Sequence, residues 1–146
     1  MIRWRRFRDD KAIVELVRTQ LVPISPWQHP RDRRLHTDIV RRLRKGATLV
    51  ASRTNRSPAI GFLHMEFRGS KLFIDLLAVD PRHQNKKLGT ALMARAEAYG
   101  RSRGCTAAYV FVDELNYRAL RFYRRLGYAA FSAVPSLQAV ELVKSL

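Results

Sequence analysis

Residues 72–89 read LFIDLLAVDPRHQNKKLG: an apolar run to Val79, a polar loop, and then the opening of a helical pattern at Leu88-Gly89. The apolar part predicts a strand. A strand that hands its backbone to a helix start leaves several N–H groups without intrahelical acceptors, all pointing one way. Such a place attracts anions, and Arg82, Lys86 and Lys87 would add full charges to the partial charge of the helix end. A phosphorylated ligand is the first expectation, and the rest of the chain is read outward from it.

At 146 residues the chain predicts one domain, 1–146, large enough to bury a core without disulfides or metal. One cysteine excludes an intrachain disulfide and a thiolate cluster, and predicts a reducing, cytoplasmic setting in which Cys105 is a core residue. No apolar run approaches the roughly 20 residues of a membrane span, and MIRWRRFRDD has charge without a following apolar block. A soluble protein with no membrane partner and no secretory signal is expected. The 28 Lys+Arg against 12 Asp+Glu give a formal +16, enough to attract polyanions. The basic residues are spread along the chain, and their concentration between Arg31 and Lys45 alternates with apolar positions, as on a solvated helix face.

Taken in order, Ile2 to Phe7 alternates as a short strand with Ile2 and Trp4 facing inward. Asp9 or Asp10 can cap a helix that carries Ile13, Leu16, Val17 and Leu21 on one side. The prolines at 23, 26 and 30 make PISPWQHP a rigid loop. Its Trp27 and His29 could line a substrate cleft or anchor the loop. A second helix follows with Leu35, Ile39, Val40 and Leu43 inward, stopped at Gly46. Runs at 47–53, 59–67 and 71–79 with short connections predict an antiparallel meander. A helix carries Leu88, Leu92, Ala96 and Tyr99 on one face until Gly100 and Gly104 close it. The apolar run 105–112 predicts a strand buried on both faces, parallel to the one ending at Val79. A helix at 117–126 and a closing hairpin, AAFSAV and AVELVKSL, complete an α+β or mixed α/β domain.

Two motifs carry a resemblance. Val79-Asp80-Pro81, then Gln84-Asn85-Lys86-Lys87-Leu88-Gly89 opening a helix, resembles the acetyl-CoA pyrophosphate motif Gln/Arg-x-x-Gly-x-Gly/Ala of the GNAT superfamily of N-acetyltransferases. Further on, Asn116-Tyr117-Arg118-Ala119-Leu120-Arg121-Phe122-Tyr123, continuing to Gly127-Tyr128, is similar to the family's Asn-x-x-Ala-x-x-Phe-Tyr-x-x-x-Gly-Phe/Tyr. The resemblance implies a central mixed sheet of about seven strands, mostly antiparallel, with a splayed parallel pair at its centre and about four flanking helices. It implies acetyl-CoA as co-substrate, with no metal, and direct attack by a primary amine of a small molecule, peptide or protein. Leu77, Ala78 and Val79 would then meet the thioester arm by backbone, while Gln84, Asn85, Lys86, Lys87, Leu88, Gly89 and Thr90 would hold the diphosphate. Asn116 would contact the pantetheine arm, and its position also suits a helix N-cap. Tyr123 would bind beside the sulfur and protonate the departing thiolate; its other reading is a core aromatic with a satisfied hydroxyl. Lys87 stands where the family usually has its first glycine. A lysine at positive φ costs about 1 kcal/mol, so an ordinary backbone is expected there, with the lysine adding charge beside the phosphates.

For a general base the sequence offers Glu66 and Asp75, each of which could instead be a rim residue or half of an ion pair. Asp75 lies inside an apolar strand, and a carboxyl group taken out of water binds a proton more readily. His64 shares a face with Glu66 on the neighbouring strand, and a water-assisted base is a further route. The four histidines, at 29, 36, 64 and 83, show no ligand spacing. The net charge favours an acidic protein or peptide as partner over a polycationic acceptor. Two rival functions are a basic nucleic-acid- or ribosome-associated binding protein, with Trp4, Phe7, Tyr117, Phe122 and Tyr123 as stacking residues on largely buried faces, and a CoA-binding regulator without turnover. The terminal strands offer an edge through which a homodimer could form.

Overall fold

Period-2 patterning through the middle and end of the chain and period-3.6 patterning around it yield the elements of the computed structural model, which describes residues 1–24 and 33–146. The first half holds the strand Ile2–Trp4 (β1), the helix Asp10–Leu16 (α1), which runs on through the wider turn Val17–Leu21, and the helix Leu35–Leu43 (α2). The meander is Ala47–Ser52 (β2), Ala59–Arg68 (β3) and Lys71–Val79 (β4). After it come the helix Leu88–Ser102 (α3), Ala107–Asp113 (β5), the helix Tyr117–Arg125 (α4), Ala129–Val134 (β6) and Ala139–Ser145 (β7). The strands form one sheet in the order β1-β2-β3-β4-β5-β7-β6, with β4 and β5 as its parallel pair. Among the described residues this is the mixed seven-strand sheet with four helices that the family resemblance implies.

Each sheet face buries its own core. Leu63, Met65, Leu72, Ile74, Leu92, Met93, Ala108, Val110 and Leu142 pack beneath α3 and α4. Ile13, Val14, Val17, Leu35, Ile39, Leu43, Val50, Phe62 and Ala78 pack beneath α1 and α2. Burying a side chain of this size is worth about 1.5–3 kcal/mol, so both layers are held firmly against the strands between them.

Several local expectations are corrected. On β1 the inward residue is Arg3, whose guanidinium binds Asp9 at 2.7 and 2.9 Å, while Trp4 is exposed and meets Tyr99 edge-on. Asp9 therefore serves Arg3 and the Arg6 amide rather than capping α1. Phe7 and Tyr117 are exposed as well, so the aromatics read as mostly buried are largely at the surface. β5 buries only Ala108, Val110 and Val112; its other face carries Tyr109 and a partly exposed Phe111. Gly100 lies inside α3, where a Cβ would meet the Leu72 side chain at 3.0 Å, so it permits helix–sheet contact and the helix ends near Gly104. The terminal hairpin inserts β7 between β5 and β6 and leaves β6 as an exposed edge.

Candidate active site

The parallel pair is joined only at its start, through Lys71–Ala107, Leu72–Ala108 and Phe73–Tyr109. Beyond Phe73, β4 stays with β3 while β5 stays with β7. The Asp80 amide donates to the Ile60 carbonyl at 2.8 Å, which fixes the alternation of the β3–β4 ladder. Ala78 thus spends its backbone on Phe62, whereas the N–H and C=O groups of Leu77 and Val79 face the opened gap toward β5. The Val79 carbonyl accepts the Gln84 side chain at 3.0 Å, and the Gln84 oxygen accepts from Arg118 of α4 at 2.6 Å. Gln84 therefore ties the end of β4 to α4 across the mouth of the gap.

Between β4 and α3 the chain makes a 3-10 turn, Pro81–Lys86, started by Asp80, whose carboxylate accepts the Arg82 amide at 2.9 Å. The Arg82 guanidinium and amide hold the Asp80 carboxyl down at about 2. Arg82 is thus engaged with Asp80. Lys87 has φ 58° and ψ 28°, the left-handed region, against the expectation of an ordinary backbone. One left-handed residue joins the 3-10 turn to α3, and lysine bears about 1 kcal/mol there. The first intrahelical bond of α3 is Ala91 to Lys87, so the amides of Leu88, Gly89 and Thr90 have no intrahelical acceptor. A Cβ on Gly89 would stand 3.3 Å from the Phe122 ring. Glycine there lets α4 press against the start of α3.

That contact also sets α4. Asn116 caps it by accepting the Ala119 amide at 3.1 Å, and Gly127 ends it at φ 99°. Tyr123 is buried in the same core as Val79, Val112 and Tyr128, and burial pushes its phenol above the ordinary range. Its hydroxyl has no hydrogen-bond partner among the described residues, unlike that of Tyr128, which donates to Glu97 at 2.8 Å.

On the opposite face of the sheet a polar group forms that the sequence did not reveal. Asp75 is an extra residue in β4: His64 pairs with Leu76 and Met65 with Ile74, leaving Asp75 between them. The bulge reverses the strand's alternation, so Ile74 and Leu77 both face the α3–α4 core while Leu76 and Ala78 face α1 and α2. The Asp75 side chain is 1% exposed, and both its oxygens are held by Arg42 of α2, one by Nε at 2.7 Å and the other by Nη2. His64 is fully buried, with Nδ1 at 2.8 Å from Thr48 Oγ1 and Nε2 unpartnered, 3.8 Å from Asp75. Burial holds its imidazole below the ordinary value. Glu66 is 22% exposed, with Arg68 3.9 Å away.

Ligand atoms of His64, Glu66 and Asp75 lie within 4.8 Å of one another, a closeness that histidine spacing could not signal. The Arg42 guanidinium already supplies the positive charge there. Of the sequence-predicted residues, Glu66 and Asp75 gather on this face, Leu77 and Val79 line the gap, and Tyr123 and Asn116 stand on α4. Trp27 and His29 lie outside the described residues. Arg42 was missed because its partner is 33 positions away, with no local pattern to join them.

An opened parallel pair, a helix start at its mouth and a buried phenol beside it define a class of mixed α/β domain whose sheet parts at its centre. The profile of the Acetyltransferase (GNAT) family matches residues 11–128, and the chain belongs to that family. It is 32% identical over 90 residues to a mycothiol acetyltransferase of Stackebrandtia nassauensis, covering 58% of this chain and 29% of that one. It is 38% identical over 65 residues to a blasticidin-S acetyltransferase of Streptomyces morookaense, covering 44% and 46%. The chain thus spans less than half the length of these curated relatives. Its fold matches Ard1 from Thermoplasma volcanium with a TM-score of 0.79 at 21% identity, covering 100% of this chain and 97% of that one. The paia N-acetyltransferase from Thermoplasma acidophilum, solved in complex with coenzyme A, gives 0.78 at 19%, covering 100% and 99%. No helix among the described residues is long and apolar enough to cross a membrane.

Proposed function

We propose that the protein transfers an acetyl group from acetyl-CoA to a primary amine, with both substrates bound together and the amine attacking directly. The observation that carries this reading is the parting of β4 from β5 after Phe73, which turns the amides of Leu77 and Val79 toward open space at the foot of α3. An extended thioester arm can pair there as an added strand. The residues present fit that substrate. The free amides of Leu88, Gly89 and Thr90 suit a diphosphate, with Lys87 adding charge and with the backbone of the Gln84–Lys86 turn delivering them. Asn116 and Tyr123 stand on the helix that closes over the arm.

The chemistry follows from placement. The Leu77 amide would polarise the acetyl carbonyl, and holding the amine against it supplies much of the acceleration. Tyr123, kept protonated by burial and with its hydroxyl unspent, holds a proton for the departing sulfur. Glu66 is the better-placed carboxylate to take the proton of the attacking ammonium, directly or through water, because it is partly open to solvent. Both Asp75 oxygens are committed to Arg42, which makes Asp75 a positioning group in this reading. A net charge of +16 disfavours a polycationic acceptor. The exposed edge of β6, with Phe131 at the surface, is where a second copy would pair.

Thermal unfolding with and without acetyl-CoA, followed by an amine panel read by release of free thiol, tests the proposal. Ligand at 100 times its dissociation constant raises stability by about 2.7 kcal/mol. A melting temperature indifferent to acetyl-CoA, or thermal stabilisation without thiol release from any amine, would remove the transferase reading; the latter would leave a CoA-binding regulator.

A further inference from the structure

We infer that Arg53, acting through His83, is a positioning residue for the diphosphate turn, and that CoA binds tightly only while His83 is held as a neutral hydrogen-bond acceptor. The inference rests on the acetyl-transfer reading above. The two side chains are 30 positions apart and meet because β2 ends where β3 begins and β4 ends: Ser52 pairs with Ala59, and Gly61 with Val79. Arg53 follows β2, and its Nη2 lies 3.0 Å from Nε2 of His83 in the Pro81–Lys86 turn. His83 is 5% exposed. A guanidinium has only donors, so Nε2 accepts, and the ring is neutral with its proton on Nδ1. That Nδ1 is buried without a hydrogen-bond partner among the described residues, 4.0 Å from Asp80 Oδ1.

Gln84 ties the turn to the end of β4 and to α4, and His83 ties it to the end of β2. The turn leads through Lys87 to the amides of Leu88, Gly89 and Thr90, so a shift of the turn moves the groups that suit a diphosphate. Protonation of His83 sets an imidazolium N–H against the N–H of Arg53, two cations at 3.0 Å, and the contact is lost. Facing His83 are Arg53 from the end of β2 and Asp80 from the end of β4, with Arg82 bound to the Asp80 carboxylate. An imidazolium is therefore drawn away from Arg53 toward Asp80, whose carboxylate starts the turn by accepting the Arg82 amide. Imidazole is the side chain that changes charge between pH 5 and 8, so the tie is present at pH 8 and lost toward pH 5. Simple attraction of a diphosphate to an added cation works the other way, and the sign of the pH dependence separates the two.

Titration calorimetry of CoA between pH 5 and 8, on the wild type, His83→Gln, His83→Phe and Arg53→Met, tests the inference. A phosphate of CoA titrates at about pH 6 as well, so each profile is read against His83→Gln, whose amide oxygen accepts from Arg53 at every pH. From pH 8 to pH 5 the wild type should lose about tenfold more affinity than His83→Gln, the worth of one hydrogen bond to a charged group. At pH 8, His83→Phe and Arg53→Met should each bind about tenfold more weakly than His83→Gln, and Arg53→Met/His83→Gln should be no weaker than Arg53→Met alone. Arg53 is exposed, so Arg53→Met keeps the test open should the buried His83→Phe unfold. Long-range proton–nitrogen NMR of the wild type at pH 8 should find the His83 ring proton on Nδ1. A proton on Nε2, a wild-type profile parallel to that of His83→Gln or rising above it in acid, or His83→Gln as weak as His83→Phe would overturn the inference and leave CoA binding in place. A wild type that binds no CoA at pH 8 would remove the acetyl-transfer reading and this inference together.

Discussion

The Arg42–Asp75 pair joins α2 to the bulge in β4, so its loss should be felt in both stability and site geometry. Asp75→Asn, Arg42→Met and the double variant form a cycle that isolates the pair. Breaking a buried ion pair from one side costs about 3–5 kcal/mol, whereas exposed pairs contribute about 0–1 kcal/mol. Asp75 is 1% exposed and Arg42 is 44% exposed, so the pair belongs between these limits, with a coupling of about 2 kcal/mol. At 146 residues and about 2.1 cal/mol/K per residue, the unfolding entropy is about 0.3 kcal/mol/K. A coupling of this size is therefore worth about 7 °C. Urea unfolding followed by far-UV circular dichroism at pH 7 measures it, and the double variant should lose about 2 kcal/mol less than the sum of the single ones. High salt should leave most of this coupling, because the Asp75 end is out of water. Additivity within about 0.5 kcal/mol would refute the pair as the link between helix and bulge.

Further outcomes follow from individual side chains. Glu66→Gln should lower kcat/KM by about 10²–10⁴-fold if Glu66 takes the ammonium proton, with acetyl-CoA thermal stabilisation unchanged; full activity would assign that proton to water or another group. Tyr123→Phe should lower kcat while leaving CoA affinity within a few-fold, as measured by calorimetry, and an unchanged kcat would exclude the phenol from thiolate departure. Lys87→Gly relieves about 1 kcal/mol of left-handed strain but gives back part of it through a more flexible unfolded chain. Its melting temperature should shift by less than about 3 °C, and Lys87→Glu should weaken CoA binding in a salt-sensitive way. His64 is held below its ordinary value of 6.5 by burial, so the unfolded chain binds more protons than the folded one as pH falls. Stability should therefore drop below pH 6.5 with a one-proton slope of at most about 1.4 kcal/mol per pH unit, and His64→Gln should flatten the melting-temperature profile between pH 5 and 8; parallel profiles would show that His64 contributes nothing to it.

The sequence by itself determined the elements and their kind, because alternation at 59–67 and 71–79, helical spacing from Leu88 and the stops at Gly46 and Gly127 are properties of a few neighbouring residues. It also placed Asn116 as a cap and joined two motifs far apart in the chain, since each motif is local. Three features that matter at the site were decided only by the tertiary structure. The bulge at Asp75 exists because the β3 ladder skips one residue, and a register between strands is not written in either strand alone. The left-handed backbone of Lys87, at the junction of the 3-10 turn and α3, runs against the preference of lysine and against the expectation from the sequence. Arg42 meets Asp75 because α2 packs over the meander, which brings together charges 33 positions apart. Local periodicity costs nothing to read along the chain; contacts between distant segments depend on how the two cores close on the sheet.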